Sequence, residues 1–182
     1  KVAAQLRARR DDLQKLMNAE MGKLRQAALV EIEKCAGACD YYAEHAAGYL
    51  QDRPIATEAS RSYVRYEPIG CVLAVMPWNF PLWQVFRFLA PGLLAGNVAV
   101  LDAAGLPPGV FAVLHVDNDQ AAKVLRDPRI AAVTLTGSER AGRSIAANAG
   151  DQLKKCVLEL GGSDAFIVLE DADLETTVAA AV

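Results

Sequence analysis

After residue 68 the chain is built around short, continuous apolar runs: CVLAVM (71–76), NVAVL (97–101), VFAVLHV (110–116), AAVTLT (131–136) and AFIVL (165–169). Runs this short and this uniformly apolar read as strands buried on both faces. Between most of them stand stretches with helical character, at 83–94, 120–125 and 139–149. Strands alternating with helices predict a parallel α/β sheet, because parallel neighbours need a crossover and the crossover is usually a helix.

One connection breaks this scheme. Between Leu101 and Val110 lie only the eight residues DAAGLPPG, with two prolines and two glycines. A parallel crossover takes a dozen residues or more. Either the pair is an antiparallel hairpin, or a segment is missing after Leu101. The second reading is favoured, since AAGLPPG looks like the end of a helix, with its glycine stop and following prolines, whose body is absent.

The N-terminal third has a different pattern. Residues 1–21 place Val2, Leu6, Leu13, Leu16 and Met17 at near-helical spacing, with Gly22 as a stop. A second helix is expected over 24–50, with Leu29, Ile32, Ala36, Cys39 and Tyr42 on its inner face. QDRPIATEAS breaks the pattern, and RSYVRYE (61–67) alternates as a strand does. The first helix opens without a capping residue and DADLETTVAAAV opens a last helix that stops at Val182, so both ends are expected to be cut within a longer protein.

Composition bounds the function. The 182 residues are 53% hydrophobic and 23% charged, with a formal net charge of -3, which is a folded, soluble balance. No basic stripe is present to neutralise phosphates, so nucleic acid is not expected as a partner. No apolar run approaches the roughly 20 residues that span a bilayer, and no signal peptide opens the chain, so no membrane partner and a cytoplasmic location are expected. Cys35, Cys39, Cys71 and Cys156 have no C-x-x-C spacing, and His45 and His115 are the only histidines, so no metal site is expected. Cys35 and Cys39, at i and i+4, fit the buried face of a helix.

Three stretches could carry chemistry. In TLTGSERAGRS (134–144) a strand runs into Gly137 and Ser138 and a helix opens, an arrangement that suits phosphate but also describes a plain turn. Gly137 to Ser144 scans as G-x-x-x-x-G-R-S, without the lysine of a Walker A loop, and no G-x-G-x-x-G is present. In KKCVLELGG (154–162) a period of two puts Val157, Glu159 and Gly161 on one face, so Glu159 is either a desolvated general base or a carboxylate pointing into water. In MPWNFP (76–81) Pro77 and Pro81 restrict the backbone around Asn79, whose amide is either the cap of the following helix or a fixed donor to an oxyanion.

Taken in order, MPWNFPLWQ, GLPPGVF, TLTGSERAG and LELGGSD resemble the aldehyde dehydrogenase superfamily, and within it the branch acting on succinate semialdehyde. The resemblance covers essentially all 182 residues but less than half of a family chain. It implies an incomplete aldehyde dehydrogenase fold, α/β in class: a Rossmann-like parallel-sheet cofactor domain preceded by two long helices. Residues 1–50 would be the N-terminal helices of that domain, 51–67 a β arm joining subunits into a homodimer or homotetramer, and 68–182 the NAD(P)-binding region, with the catalytic domain absent.

Carried over residue by residue, the resemblance makes Asn79 the side-chain donor to the oxyanion and Glu159 the base that activates water. It makes Met76, Pro77, Trp78, Asn79, Gly137, Ser138, Leu160 and Gly161 cofactor contacts. The implied reaction is attack of a thiolate on the aldehyde, hydride transfer to nicotinamide and hydrolysis of the thioester. The family's nucleophile lies in a later domain, and none of the four cysteines here stands at its position. Cys156 faces away from Glu159 on the period-two argument. The branch usually prefers NADP over NAD, yet the residues after Leu101 that decide between them are missing, and the acids in HVDND (115–119) disfavour a nearby phosphate. The rival expectation is a non-catalytic dinucleotide-binding or structural module of the same fold.

Overall fold

A computed structural model describes residues 1–97, 112–162 and 166–181. Its first helix, expected as one rod, is bent into α1 (Val2–Ala8) and α2 (Arg10–Met21). At Arg9 the backbone leaves the helical well (φ -100°, ψ 13°), although Arg9 N–H still reaches Gln5 O and Leu13 N–H reaches Arg9 O, each at 3.0 Å. The reason is in RARRDD (7–12), which offers no apolar side chain larger than alanine to hold that turn against its neighbour. Gly22 ends α2 in the left-handed conformation (φ 68°), the stop expected of it.

The long helix α3 (Arg25–Tyr49) receives both. Ala28, Ile32, Cys35 and Ala36 on its inner stripe pack with Ala3, Leu6, Met17 and Phe86 in one apolar cluster, flanked by Leu13, Cys39, Leu82 and Trp83. Full burial of a side chain such as Ile32 contributes about 1.5–3 kcal/mol. Arg7 ties α1 to α3 through Glu33 (2.7 Å) and Asp40 (2.7 Å). These exposed pairs set geometry more than stability.

Strands β1 (Arg53–Pro54) and β2 (Tyr63–Val64) make a two-residue antiparallel ladder. This is shorter than the strand expected over 61–67, and its partner comes from QDRPIATEAS, read as a break. Pro54 carries no N–H, which confines such a strand to an edge.

The sheet follows: β3 (Cys71–Val75), then α4 (Trp83–Leu94), α5 (Asn118–Arg126), β4 (Ile130–Thr136), α6 (Glu139–Asp151), β5 (Lys155–Glu159) and α7 (Leu174–Ala181). The order is β3-β4-β5 with both pairings parallel, as the alternation required. Leu125, Val133, Leu135, Ile145 and Ala149 form a second core where α5 and α6 cover one face, joined by Leu73, Val75, Cys156 and Leu158. Lys154 fastens this layer by donating to Leu125 O and Asp127 O at the end of α5, each at 2.5 Å.

Two expected strands are corrected. Among the described residues 112–116 form no strand, and Val113, Leu114 and Val116 are exposed. Residues 166–169 likewise form none, with Phe166 60% and Ile167 78% exposed. Apolarity states that a segment needs cover, whereas a strand also needs a neighbouring ladder, and among the described residues neither run has one. The strand expected at 97–101 lies, beyond Asn97, outside the described residues, as do GLPPGVF and the connection after Leu101. Asn97 itself accepts the Ile69 N–H through Oδ1 (2.8 Å), which ties the end of α4 to the approach to β3.

Candidate active site

The three stretches singled out in the sequence leave the carboxyl ends of the parallel strands β3, β4 and β5. Val75 pairs with Leu135 and Leu135 with Leu158, while Thr136 pairs with Glu159. Met76, Pro77, Trp78 and Asn79 therefore continue β3, Gly137 and Ser138 continue β4, and Leu160 and Gly161 continue β5, all at one edge of the sheet. Gly137 N–H donates to Glu159 O at 2.9 Å, which joins two of the three directly. Ligands in open α/β sheets bind outside these carboxyl ends, where loops meet and helix N-termini point.

Asn79 does not cap α4. The N-cap position is Leu82, whose side chain caps nothing, and the N–H groups of Leu82 and Trp83 donate to Glu31 Oε1 at 2.9 and 2.8 Å. Asn79 is exposed, and among the described residues its side-chain amide has no hydrogen-bond partner. Its backbone is held, because Lys23 Nζ donates to Asn79 O (3.3 Å) and lies 3.8 Å from the centre of the Phe80 ring. Lys23 also pairs with Glu31, and both side chains are buried (9% and 1% exposed). Neither residue was expected in the site. The available signal was a glutamate on the stripe shared by Ala28, Ile32 and Cys35.

Gly137 and Ser138 form the turn from β4 into α6. Ser138 caps the helix, its Oγ accepting from Ala141 N–H at 3.3 Å. Its hydroxyl proton remains available to donate. A Cβ on Gly137 would meet Leu135 Cδ2 at 3.6 Å, an ordinary contact, so internal packing does not demand glycine there. Gly142 differs: a Cβ would come 2.5 Å from Leu160 Cδ2, so α6 lies against Leu160 at closest approach. Residues 139–144 belong to α6, and Arg143 pairs with Glu139 along it at 3.0 Å. A P-loop keeps the residues between its glycines in a loop around the phosphate, and the helical 139–144 exclude one.

Glu159 ends β5 with its side chain 59% exposed and 3.6 Å from Arg87 Nη2. The alternative of a carboxylate among apolar groups is corrected: Val157 on the same face is half exposed, while Cys156 and Leu158 turn to the opposite, packed face. The period-two reading of Cys156 holds. Burial pushes the Cys156 thiol up, raises that of Cys39, and pushes that of Cys35 up to about 12. A thiol so shifted is a poor nucleophile. Cys71 begins β3, at the end of the sheet away from the site.

A dinucleotide would find donors here. The Ser138 hydroxyl and the first N–H groups of α6 are the donors that could meet a pyrophosphate. The exposed Leu160 and Gly161 border the same edge, with open space at Gly161. Acidic Glu139 in that first turn opposes the positive helix end. A separate open cavity of about 540 Å³ lies between the end of α3 and β1, lined by Tyr49, Asp52, Arg53 and Tyr66, and holds none of the candidate residues. Among the described residues no cluster of histidine, cysteine or carboxylate could hold a metal.

The chain is 49% identical to a "Probable succinate-semialdehyde dehydrogenase [NADP(+)]" of Synechocystis over 199 aligned positions, covering 100% of this chain and 44% of that protein. It is 48% identical to "Succinate semialdehyde dehydrogenase [NAD(P)+] Sad" of Escherichia coli, over 97% of this chain and 42% of that one. The fold matches that of a succinic semialdehyde dehydrogenase from Streptococcus pyogenes, solved with NADP+ as the cofactor, with a TM-score of 0.90 and 41% identity over 96% of this chain and 42% of the other. The chain thus spans less than half the length of these relatives. The sequence model of the aldehyde dehydrogenase family matches it in two pieces, residues 1–104 and 98–182, which together leave no residue out. This chain belongs to the aldehyde dehydrogenase family.

Proposed function

We propose that the protein containing this chain oxidises an aldehyde, succinate semialdehyde foremost, to its carboxylic acid with NADP or NAD as acceptor. The observation that carries this reading is the convergence of Asn79, Glu159 and the Gly137–Ser138 turn at adjoining strand ends. When bound, the dinucleotide supplies the hydride acceptor. The Gly137–Ser138 turn and the start of α6 hold its phosphates, Met76, Pro77 and Trp78 flank it, and Leu160 and Gly161 border the nicotinamide.

Asn79 donates through its side-chain amide to the carbonyl oxygen as negative charge develops there. A donor already aimed at that point acts without reorganising, which makes such contacts effective. Glu159 accepts the proton of the water that releases the acid. At 3.6 Å its contact with Arg87 is an ion pair rather than a close hydrogen bond, so the carboxylate oxygens remain open to that water. The nucleophilic cysteine comes from the part of the protein that this chain does not include.

In the same reading, residues 1–50 and 68–182 build the cofactor domain and 51–67 is an arm of a homodimer or homotetramer in the cytoplasm. The two-piece family match, overlapping at 98–104, and an alignment of 199 positions over 182 residues support a further segment of the relatives after Leu101. No helix among the described residues is long and apolar enough to cross a membrane.

The test is an assay of the intact protein against short semialdehydes and simple aldehydes, with NADP and NAD in parallel. The expected result is reduced cofactor with the highest kcat/KM for succinate semialdehyde and NADP. Failure to reduce either dinucleotide with any aldehyde would overturn the proposal.

A further inference from the structure

We propose that Lys23 and Glu31 are positioning residues that clamp the loop bearing Asn79 and act on turnover through it. The proposal rests on Asn79 being the oxyanion donor. The loop has little means of fixing itself: Pro77 and Pro81 lack N–H groups, and α4 opens at Leu82 without a side-chain cap. Its order is supplied from 51 and 56 residues earlier in the chain. Glu31 Oε1 accepts from Leu82 and Trp83 N–H at 2.9 and 2.8 Å, and Glu31 Oε2 takes the Lys23 ammonium. That ammonium also donates to Asn79 O at 3.3 Å and lies over the Phe80 ring.

Two buried, opposite charges thus neutralise each other while, among the described residues, the other side-chain hydrogen bonds and the ring contact they make go to residues 79–83. A carboxylate at a helix N-terminus is also favoured by the helix dipole. Fixing the backbone oxygen of Asn79 on one side and the start of α4 on the other limits where the Asn79 amide points. A merely structural pair would stabilise the fold without setting that direction.

The test uses the intact protein with Glu31→Ala, Glu31→Gln and Lys23→Met, each also combined with Asn79→Ala. Amide hydrogen exchange should rise in residues 77–86 and stay unchanged in β4 and α6. The value of kcat should fall by roughly 10- to 100-fold, as for a misplaced catalytic group, with KM for the dinucleotide within about twofold. In the Asn79→Ala background the same substitutions should cost almost nothing further. Glu31→Gln, which keeps an acceptor for the two N–H groups, should lie between wild type and Glu31→Ala, and it and Lys23→Met carry the test if Glu31→Ala does not fold. Unchanged exchange at 77–86, or a full additional loss without Asn79, would overturn the clamp. Loosened exchange with kcat indifferent to Asn79→Ala would instead overturn the oxyanion assignment and leave the clamp standing.

Discussion

Helix α4 begins with its first N–H groups closed by Glu31, a carboxylate from another helix, whereas α6 begins behind its own Ser138 hydroxyl. The second directly follows β4, whereas the first comes after the 76–82 loop that leaves β3. The first is filled by protein and therefore cannot receive an anion, but it is held from two directions. The second is capped by a neutral group and faces solvent, so it remains available to a phosphate. A helix start beside an active site serves either as a fixed mount or as a binding site, according to where its cap comes from.

The widest separation between the two starts should appear in stability. Glu31→Ala leaves Lys23 buried without its partner and two N–H groups unsatisfied, and loss of one member of a buried pair costs about 3–5 kcal/mol. Ser138→Ala removes a local cap and should cost only about 1 kcal/mol. Urea unfolding of the intact protein reads both, and equal shifts of the midpoint would erase the distinction.

Next comes the chemical step. Asn79→Ala should lower kcat by about 100- to 1,000-fold, the range for loss of one oxyanion donor, while leaving dinucleotide KM nearly unchanged. Ser138→Ala should do the reverse, raising the KM and sparing kcat. Steady-state kinetics with saturating aldehyde separates the two, and a kcat effect at both residues would mean that the second start also serves as a mount.

How far the sequence disclosed these two starts follows from the reach of the interactions. The turn at Gly137 and Ser138 was legible as a strand running into a helix, and the Ser138 cap is equally local, bonding to Ala141 three residues on. The trans cap of α4 could not, since nothing near PWNFP points to Glu31, and a local reading naturally offers Asn79 as the cap. The one available sign, a glutamate between Ala28 and Ile32, marks burial without naming its partner. Asp117 was weighed for its charge toward a ligand, yet D-N-D-Q spells the capping box that Asp117 and Gln120 make at α5, each accepting the other's N–H at 2.8–2.9 Å. Parallel pairing was legible from alternation, whereas the fate of 112–116 and 166–169 depended on neighbours that no local pattern specifies.

A smaller effect probes how α6 meets the neighbouring strand end. Gly142→Ala would set its Cβ 2.5 Å from Leu160 Cδ2. Leu160 is 42% exposed, so its side chain can swing outward and stability should drop by no more than about 1 kcal/mol. The displaced Leu160 then intrudes on the space assigned to the nicotinamide, and dinucleotide KM should rise by roughly three- to tenfold. A large loss of stability at constant KM would place Leu160 in the packing instead.

The finest test asks whether the open start really attracts anions. Glu139 stands in the first turn of α6, where it stabilises the helix by complementing the dipole and by pairing with Arg143, yet repels a phosphate arriving at the same N–H groups. The two roles oppose each other, so Glu139→Gln should move them in opposite directions. Stability should fall by a few tenths of a kcal/mol, as for an exposed i,i+4 pair, while dinucleotide affinity should rise by about twofold at low ionic strength. Because both Glu139 and Arg143 are largely exposed, the gain should vanish in about 1 M salt, where charges are screened beyond roughly 3 Å. Equilibrium titration at two salt concentrations reads this directly. A loss of stability with no salt-dependent gain in affinity would mean that the phosphates are held away from the start of α6.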